Sequence, residues 1–252
     1  ANKALRESEE RFHAAVNAVQ GILWTNNARG EMEGEQPGWA ALTGQSQEEY
    51  QGYGWAKAVH PDDAAASVDA WNEAVRERKT FVFEHRLRTR TGTFRRFAIK
   101  AVPLFKADGS IREWVGVHTD VTEQREAEDA IRESEERFRL MADASPVMIW
   151  TLNAGGNSTY YNKRALEFTG HTETELKAGQ TWQNAIHSED LDMSNELVGQ
   201  AIKNRLPYEM ECRMRRADGA WRWLLSHGTP RINEKGTLVG YVGSSVDITE
   251  RK

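Results

Sequence analysis

Cysteine is almost missing from this chain: Cys212 stands alone among 252 residues. No disulfide can form within the chain, which excludes the small secreted scaffolds that depend on disulfides for their stability. A reducing, cytoplasmic setting is therefore the simplest expectation.

Long apolar runs and an excess of basic charge are missing as well. No run approaches the roughly 18 apolar residues that a membrane-spanning helix needs. The 33 Lys and Arg residues are interspersed with 38 Asp and Glu residues for a net charge of −5, whereas a nucleic-acid-binding surface needs a basic stripe. We expect no membrane contact and no nucleic-acid partner in this segment.

The common catalytic signatures are absent too. The sequence has no phosphate-binding glycine loop, no nucleophile elbow and no protein-kinase motif. Tryptophan, in contrast, is abundant at nine residues, and large aromatic side chains either fill a core or line a pocket. The sequence therefore favours a binding function over catalysis.

The strongest positive feature is a long internal repeat. Residues 4–12 return with one conservative change as residues 130–138, 126 positions later, and Trp55 returns as Trp182 after one inserted residue. A period of this length is that of a whole small domain, not of a solenoid repeat. The two predicted domains are residues 1–126 and 127–252, the first and second copies.

Each copy has the same predicted order of secondary structure. A short hairpin is followed by short helical pieces, a longer helix and three consecutive strands, of which Phe94 to Phe105 is the second in the first copy. The class is therefore α+β, a five-stranded antiparallel sheet in each domain with short helices packed on one face.

One cluster invites a metal or acid–base interpretation. His60-Pro61-Asp62-Asp63 in the first copy corresponds to His187-Ser188-Glu189-Asp190 in the second. A helix start explains both versions better, because proline suits the first turn and carboxylates suit the positive end of the helix dipole. The other histidines show no metal-ligand spacing, and we predict no metal site and no catalytic residue.

Two further helices are predicted outside the sheets. The N-terminal helix carries an apolar stripe that favours a homodimer contact. The segment from Glu123 to Phe138 lacks Gly and Pro, which predicts a helical linker between the domains, either a coiled-coil seam or a helix lying on its own domain. The stripe consists of Leu5, Phe12, Val16 and Val19, and the linker positions are Ala127, Ile131, Ser134 and Phe138.

Four motifs follow one another along the chain: the Glu-Ser-Glu-Glu-Arg-Phe helix, the His-Pro-Asp-Asp after a Trp, the Arg-x-x-Asp-Gly hairpin before Arg222-Trp223, and the final Gly-x-x-x-Asp-Ile-Thr-Glu-Arg-Lys. In this order they resemble tandem PAS domains with their C-terminal PAC segments. The resemblance covers essentially the whole chain. It implies a sensory module upstream of a bacterial histidine kinase, as in two-component systems, or of a cyclic-dinucleotide enzyme.

The cofactors of some such domains do not fit this sequence. The Asn-Cys-Arg-Phe-Leu-Gln motif of flavin photoreceptors is absent, and Cys212 lies on a predicted strand. His85, also on a strand, is not the helical haem ligand that the resemblance implies for oxygen sensors. We predict no cofactor and a colourless protein.

Strand alternation and the aromatic residues predict where a ligand pocket lies in each domain. The alternative is a solid core, and the two copies differ at these walls and need not bind the same molecule. The predicted pocket residues are Trp24, Trp39, Trp55, Phe83, Phe97, Ile99, Val115 and Val117 in the first copy, and Trp150, Phe168, Trp182, Met210, Cys212, Trp223 and Leu225 in the second.

The resulting hypothesis is a non-catalytic sensory and dimerisation module. It detects a small apolar or aromatic ligand, or a partner, and relays the signal through helical linkers to a downstream output domain. The alternative is a ligand-free relay that only joins subunits, and an enzyme within this segment is disfavoured because the predicted pockets are apolar.

Overall fold

The computed structural model describes residues 21–177 and 182–252. The chain divides into two compact units between Ala130 and Ile131, four positions beyond the boundary predicted from the repeat. The predicted N-terminal helix, with its stripe of Leu5, Phe12, Val16 and Val19, lies outside the described residues.

The first unit is an antiparallel sheet with helices inserted between its first and second strands. The strand order is β1-β4-β3-β2, and a short 3-10 helix precedes the longest helix of the insertion. Its elements are β1 (Gly21–Asn27), α1 (Pro37–Thr43), α2 (Gln47–Tyr50), α3 (Pro61–Glu77), β2 (Phe81–Arg88), β3 (Phe94–Phe105) and β4 (Ile111–Asp120).

The second unit repeats this arrangement after a long helix, α4 (Thr122–Asp143), which begins in the first unit. Its five-stranded sheet has the order β6-β5-β9-β8-β7. The elements are β5 (Met148–Asn153), β6 (Ser158–Tyr161), α5 (Lys163–Thr169), α6 (Glu173–Lys177), α7 (Ser188–Asn204), β7 (Tyr208–Arg215), β8 (Trp221–Ile232) and β9 (Leu238–Asp247).

The α+β class and the two antiparallel sheets are confirmed, but the first sheet has four strands within the described residues, not five. Where β6 pairs with β5 in the second unit, the first unit has only isolated bridges at Met32. The reason is Gln36, whose side-chain amide accepts from the Thr25 backbone N–H (3.1 Å) and donates to the Thr25 carbonyl (2.9 Å). A side chain thus occupies the backbone groups that a fifth strand needs.

The His-Pro-Asp-Asp cluster begins a helix, as predicted. His60 caps α3 by accepting a hydrogen bond from the Asp62 backbone, with Pro61 in the first turn. The Asp63 carboxylate then binds Arg86 of β2 through both side-chain and backbone N–H groups, at 2.7–2.9 Å. This contact fastens the start of the helix to the strand beside it.

The second unit contains the same contact. His187 caps α7, and Asp190 binds the backbone and guanidinium N–H groups of Arg213 of β7 at 2.7–3.0 Å. The guanidinium is the largest cause that holds the pKa of each carboxyl low, to about 2 for Asp63. Both pairs therefore stay charged at neutral pH.

The predicted linker is helical, and its apolar positions are exposed. Ala127, Ile131 and Ser134 are exposed, Ile131 by 62%, whereas Phe138 is 46% exposed and its ring centroid lies 5.4 Å from that of Tyr160 in β6. In the first unit, Arg125 fastens the helix start to Glu84 of β2 at 2.7 Å. None of the helices in the described part of the chain has the length and hydropathy of a membrane span.

A tryptophan packed against a strand glycine organises the core of each unit. A Cβ placed on Gly116 of β4 would lie 2.1 Å from the Trp24 ring, and one placed on Gly243 of β9 would lie 2.3 Å from the Trp150 ring. Only glycine leaves room for the indole at these positions, because real carbon atoms do not approach so closely.

We expect Gly116→Ala to lower the free energy of unfolding by about 1–3 kcal/mol, the usual cost of forcing extra atoms into a packed core. Urea titration followed by tryptophan fluorescence measures it. Gly199→Ala, in a helix with open space around the new methyl group, is the control and should be neutral or slightly stabilising. Equal effects of the two substitutions would contradict the packing argument.

Candidate functional site

Each unit has a cavity between the inner face of its sheet and the helices. The first cavity has a volume of about 20 Å³, enough for about one water molecule. It is lined by Trp24, Asn26, Met32, Trp39, Trp55, Trp71, Phe81, His85, Ile99 and His118.

The second cavity is larger, at about 50 Å³, and its wall is almost wholly apolar. Three of its side chains are flexible thioethers, which adapt readily to the shape of an occupant. It is lined by Met148, Trp150, Leu152, Tyr161, Ala165, Phe168, Thr169, Trp182, Tyr208, Met210, Met214, Leu224, Ser226 and Ser245.

Substitutions between the copies explain the difference in volume. Trp39 in α1 corresponds in the repeat to Ala165 in α5, and Trp71 in α3 corresponds to Val198 in α7. Both tryptophans of the first unit are almost fully buried. Two indoles therefore fill space that the second unit leaves open.

A buried chain of hydrogen bonds crosses the first core. The Trp24 indole N–H donates to Nδ1 of His118 at 2.6 Å, and Nε2 of His118 lies 3.3 Å from Nε2 of His85. Nδ1 of His85 is 3.0 Å from the Ser67 hydroxyl, which donates to the Asp63 carbonyl at 2.8 Å. This series of hydrogen bonds thus runs from the cavity wall to the first turn of α3.

The donor and acceptor roles along these hydrogen bonds show which nitrogen of each imidazole carries its proton. An indole N–H only donates, so Nδ1 of His118 accepts and its Nε2 carries the proton. That proton is donated to Nε2 of His85, whose Nδ1–H then donates to Ser67. Both histidines are neutral in this arrangement, since a second proton on either ring would place two donors face to face.

Burial agrees with neutral rings. Desolvation lowers the pKa of His85 from its ordinary 6.5 to about 4, against a smaller raising effect of the Asp63 charge. Desolvation, with a further contribution from His85, lowers the pKa of His118 well below its usual range. Both imidazoles of the first core are therefore uncharged at physiological pH.

The second unit replaces these groups with smaller ones that do not titrate near neutral pH. Trp150 donates to the Ser245 hydroxyl at 2.9 Å, and Ser245 is bonded to Ser226 at 2.8 Å. Cys212 stands at the repeat position of His85, and burial raises the pKa of its thiol to about 11. The thiol is therefore protonated and chemically unreactive.

A buried asparagine connects the second cavity to the linker helix. The Asn162 side chain donates to the Ala142 carbonyl at the end of α4 (2.7 Å) and accepts from Ile149 of β5 and Ala165 of α5, at 2.9 and 3.1 Å. Ala165 also lines the cavity. One fully buried amide thus links the cavity wall, the sheet and the helix between the units.

Many of the predicted pocket residues lie together. Trp24, Trp39, Trp55 and Ile99 line the first cavity, and Trp150, Phe168, Trp182 and Met210 line the second. Phe97 and Cys212 are buried in the cores without lining a cavity, and Phe83 packs at the edge of the first core.

Four predicted residues lie on the wrong face of a strand. In β4 the inward residues are Trp114, Gly116 and His118, so Val115 and Val117 are on the outer face. The hydrophobic pattern misleads here, because the inward positions hold a glycine and a histidine while the outward positions hold valines.

The same error affects β8, where Leu224 and Ser226 face inward and Trp223 and Leu225 do not. Trp223 instead stacks with Arg213 and Lys252, whose cationic groups lie 5.4 and 5.1 Å from its ring. Gly116 in β4 and Gly243 in β9 each stand two residues before the residue that accepts from the indole N–H. These glycines are the sequence signal that shows which residues of the two strands face inward.

Polar members of the first site were missed because single positions carry no pattern. Asn26, Trp71 and His118 line the cavity but were not predicted to do so. Within residues 21–177 and 182–252, no three His, Cys, Asp or Glu side chains are grouped closely enough to hold a metal ion.

Comparison with known proteins agrees with the geometry. The family model described as "PAS fold" matches residues 36–118 and 158–245, together more than half of the chain. An uncharacterized protein of Sinorhizobium fredii is 36% identical over all of this chain and 30% of its own length. The peroxide stress-activated histidine kinase mak1 of Schizosaccharomyces pombe is 27% identical over 77% of this chain and 13% of its own.

Among solved structures, a sensory box histidine kinase/response regulator from Burkholderia thailandensis is 32% identical, with a TM-score of 0.41, over 51% of this chain and 98% of that one. The chain spans less than a third of the length of the curated relatives it matches.

The buried histidines predict a pH-dependent stability. In the unfolded chain they take up protons below about pH 6.5, but folded His85 does so only near pH 4, so stability is lost as the pH falls between these values. We expect the free energy of unfolding to drop by roughly 2 kcal/mol from pH 7 to pH 5 on account of His85.

The second unit supplies the matched variant. His85→Cys with His118→Ser introduces the residues found there and should remove most of this drop, as measured by urea unfolding at each pH. The same drop in both proteins would show that other groups cause it.

Proposed function

The chain belongs to the PAS fold family, and on that premise we propose that it is a non-catalytic sensory module whose second unit detects a small apolar molecule. The observation that carries the proposal is the apolar cavity of the second unit, at the place where Trp39 and Trp71 fill most of the space in the first unit. Apolar walls with a few polar groups are typical of small-molecule sites.

The size of the cavity limits the ligand. At about 50 Å³, it is smaller than the roughly 150 Å³ cavity that holds benzene in an engineered protein. A ligand of a few non-hydrogen atoms fits directly, and a larger one requires Met148, Met210 or Met214 to change rotamer. The hydroxyls of Ser226 and Ser245 are the polar groups that can orient it.

The contacts of the cavity wall support the proposed relay of the signal. An occupant that displaces α5 also displaces Asn162, which holds the end of α4 at the Ala142 carbonyl. On the other side, Ser245 lies in β9, which ends at Asp247 and leads toward the C-terminal residues. Both the helix between the units and the C-terminal segment are therefore coupled to the same wall, and an output domain downstream in a longer protein is the proposed receiver.

We also propose a cytoplasmic homodimer. The outer face of the first sheet carries apolar side chains beside charged ones: Val102 lies opposite Val115 across β3 and β4, and Val82 of β2, 71% exposed, lies opposite Lys100. The N-terminal stripe of Leu5, Phe12, Val16 and Val19 has the apolar character to cover such a face, and the exposed Ile131 and Phe138 of α4 offer a second seam.

The alternative is a ligand-free relay that only joins subunits. In that case the second cavity is a packing defect, and its occupant, if any, is incidental. Filling the cavity distinguishes the two functions.

We expect native mass spectrometry of the purified chain to reveal a retained small molecule that Ala165→Leu removes, because the added side chain enters the cavity. Ala154→Leu, in an exposed turn, is the control and should retain the molecule. Absence of any bound molecule, or its retention in Ala165→Leu, favours the ligand-free relay.

The linker predicts a dependence on helical phase. One residue inserted near Glu128 of α4 rotates everything beyond it by about 100°, whereas seven residues nearly restore the original face. In the full-length protein we expect the single insertion to disrupt the output and the seven-residue insertion to preserve most of it. Equal tolerance of both, measured as output activity, would identify the helix as a passive tether.

A further inference from the structure

Two complementary polar atoms in the wall of the first cavity have no partner. Oδ1 of Asn26 and Nε1 of Trp55 are buried, and neither has a hydrogen-bond partner in the described part of the chain. Asn26 is 4% and Trp55 7% exposed, and both line the first cavity. One atom accepts and the other donates, and buried polar atoms in native proteins are rarely left unpaired.

The second unit shows where the Trp55 indole would otherwise donate. Its counterpart Trp182 donates to the Gly156 carbonyl at 3.3 Å. The corresponding carbonyl in the first unit belongs to Gly30, and Trp55 makes no bond to it. Something specific to the first unit therefore separates this indole from its usual acceptor.

Two residues that differ between the units, Trp71 and Asn26, account for the missing bond of Trp55. The Gly30 carbonyl already accepts from Nε1 of Trp71 and from Nδ2 of Asn26, each at 2.8 Å, which uses both of its lone pairs. The second unit has Val198 and Leu152 at these two repeat positions, and neither side chain can donate. The same two residues thus deprive Trp55 of its acceptor and bring the unpaired Asn26 oxygen to the cavity.

The other polar groups of the cavity wall are already paired. Both nitrogens of His85 and of His118 belong to the buried chain, and the Trp39 indole donates to Gln45 at 2.8 Å. No carboxylate, ammonium or guanidinium group is among the lining side chains that the structure describes. An occupant is therefore neutral and meets one donor and one acceptor.

We propose that the first cavity is a two-point site for a small hydroxyl compound, whose oxygen accepts from Trp55 and whose O–H donates to Asn26. The volume of about 20 Å³ suits a single oxygen atom with little attached to it, so water and the shortest alcohols are the class that it admits. This site goes beyond the proposed function, which assigns an apolar ligand to the second cavity.

Methanol is the probe that tests the site, with indole N–H signals from ¹⁵N-tryptophan-labelled chain as the readout. Trp55→Phe identifies the Trp55 signal. We expect this signal to shift saturably with methanol while that of Trp182, which already has an acceptor, does not. Acetonitrile accepts but cannot donate, and should bind at least about tenfold more weakly, the loss expected for one unmade buried hydrogen bond.

Asn26→Leu, which introduces the residue of the second unit, should weaken methanol binding by a similar factor and remove the preference over acetonitrile. If that variant does not fold, Trp55→Phe in uniformly ¹⁵N-labelled chain serves in its place, and the shift of the Asn26 side-chain amide signal with methanol, present in the unsubstituted chain, is expected to be lost. An unshifted Trp55 signal, or equal binding of the two probes, overturns the inference. Retention of a ligand by the second cavity in that case leaves the proposed function intact, so the two failures are distinguishable.

Discussion

The close packing of an indole against a strand glycine is the constraint on which the rest of each domain depends. Trp24 occupies the space beside Gly116, and Trp150 occupies the space beside Gly243. With the ring held there, its N–H reaches the residue two positions further along the same strand, His118 in one domain and Ser245 in the other. The identity of that residue then decides what the core can do.

The two domains have diverged in opposite directions from this common frame. In the first, His118 extends an uncharged hydrogen-bond network through His85 to the start of α3, and Trp39 and Trp71 fill most of the remaining space. In the second, Ser245 ends the network within two residues, and Ala165 leaves an apolar cavity. A tandem pair can in this way present two different chemical environments on one backbone design.

The contacts that both domains retain are those that hold helices to the sheet. The Asp63–Arg86 and Asp190–Arg213 pairs are side-chain bidentate in both domains and also bind the strand backbone, so they define orientation as well as distance. The Asn162 side chain likewise hydrogen-bonds to backbone groups of α4, β5 and α5. These contacts join the cavity wall of the second domain to the sheet and to the end of α4.

The repeat, the α+β order, the family and the approximate strand ends could be predicted from the sequence, because these follow from local signals such as Pro61 at a helix start and from residues that recur in register. The end of the linker helix could not, since α4 continues to Asp143, beyond the predicted Phe138. Which face of β4 and β8 turns inward depends on tertiary contacts. There the inward positions hold Gly116 and Ser226 while Val115 and Leu225 face outward, since the space that an indole needs outweighs the hydrophobicity of single residues. The difference between four strands and five also depends on a tertiary contact, because the Gln36 side-chain amide pairs with the backbone N–H and carbonyl of Thr25. Long-range contacts of this kind leave no periodic trace in the chain, so their consequences appear only when the fold brings the partners together.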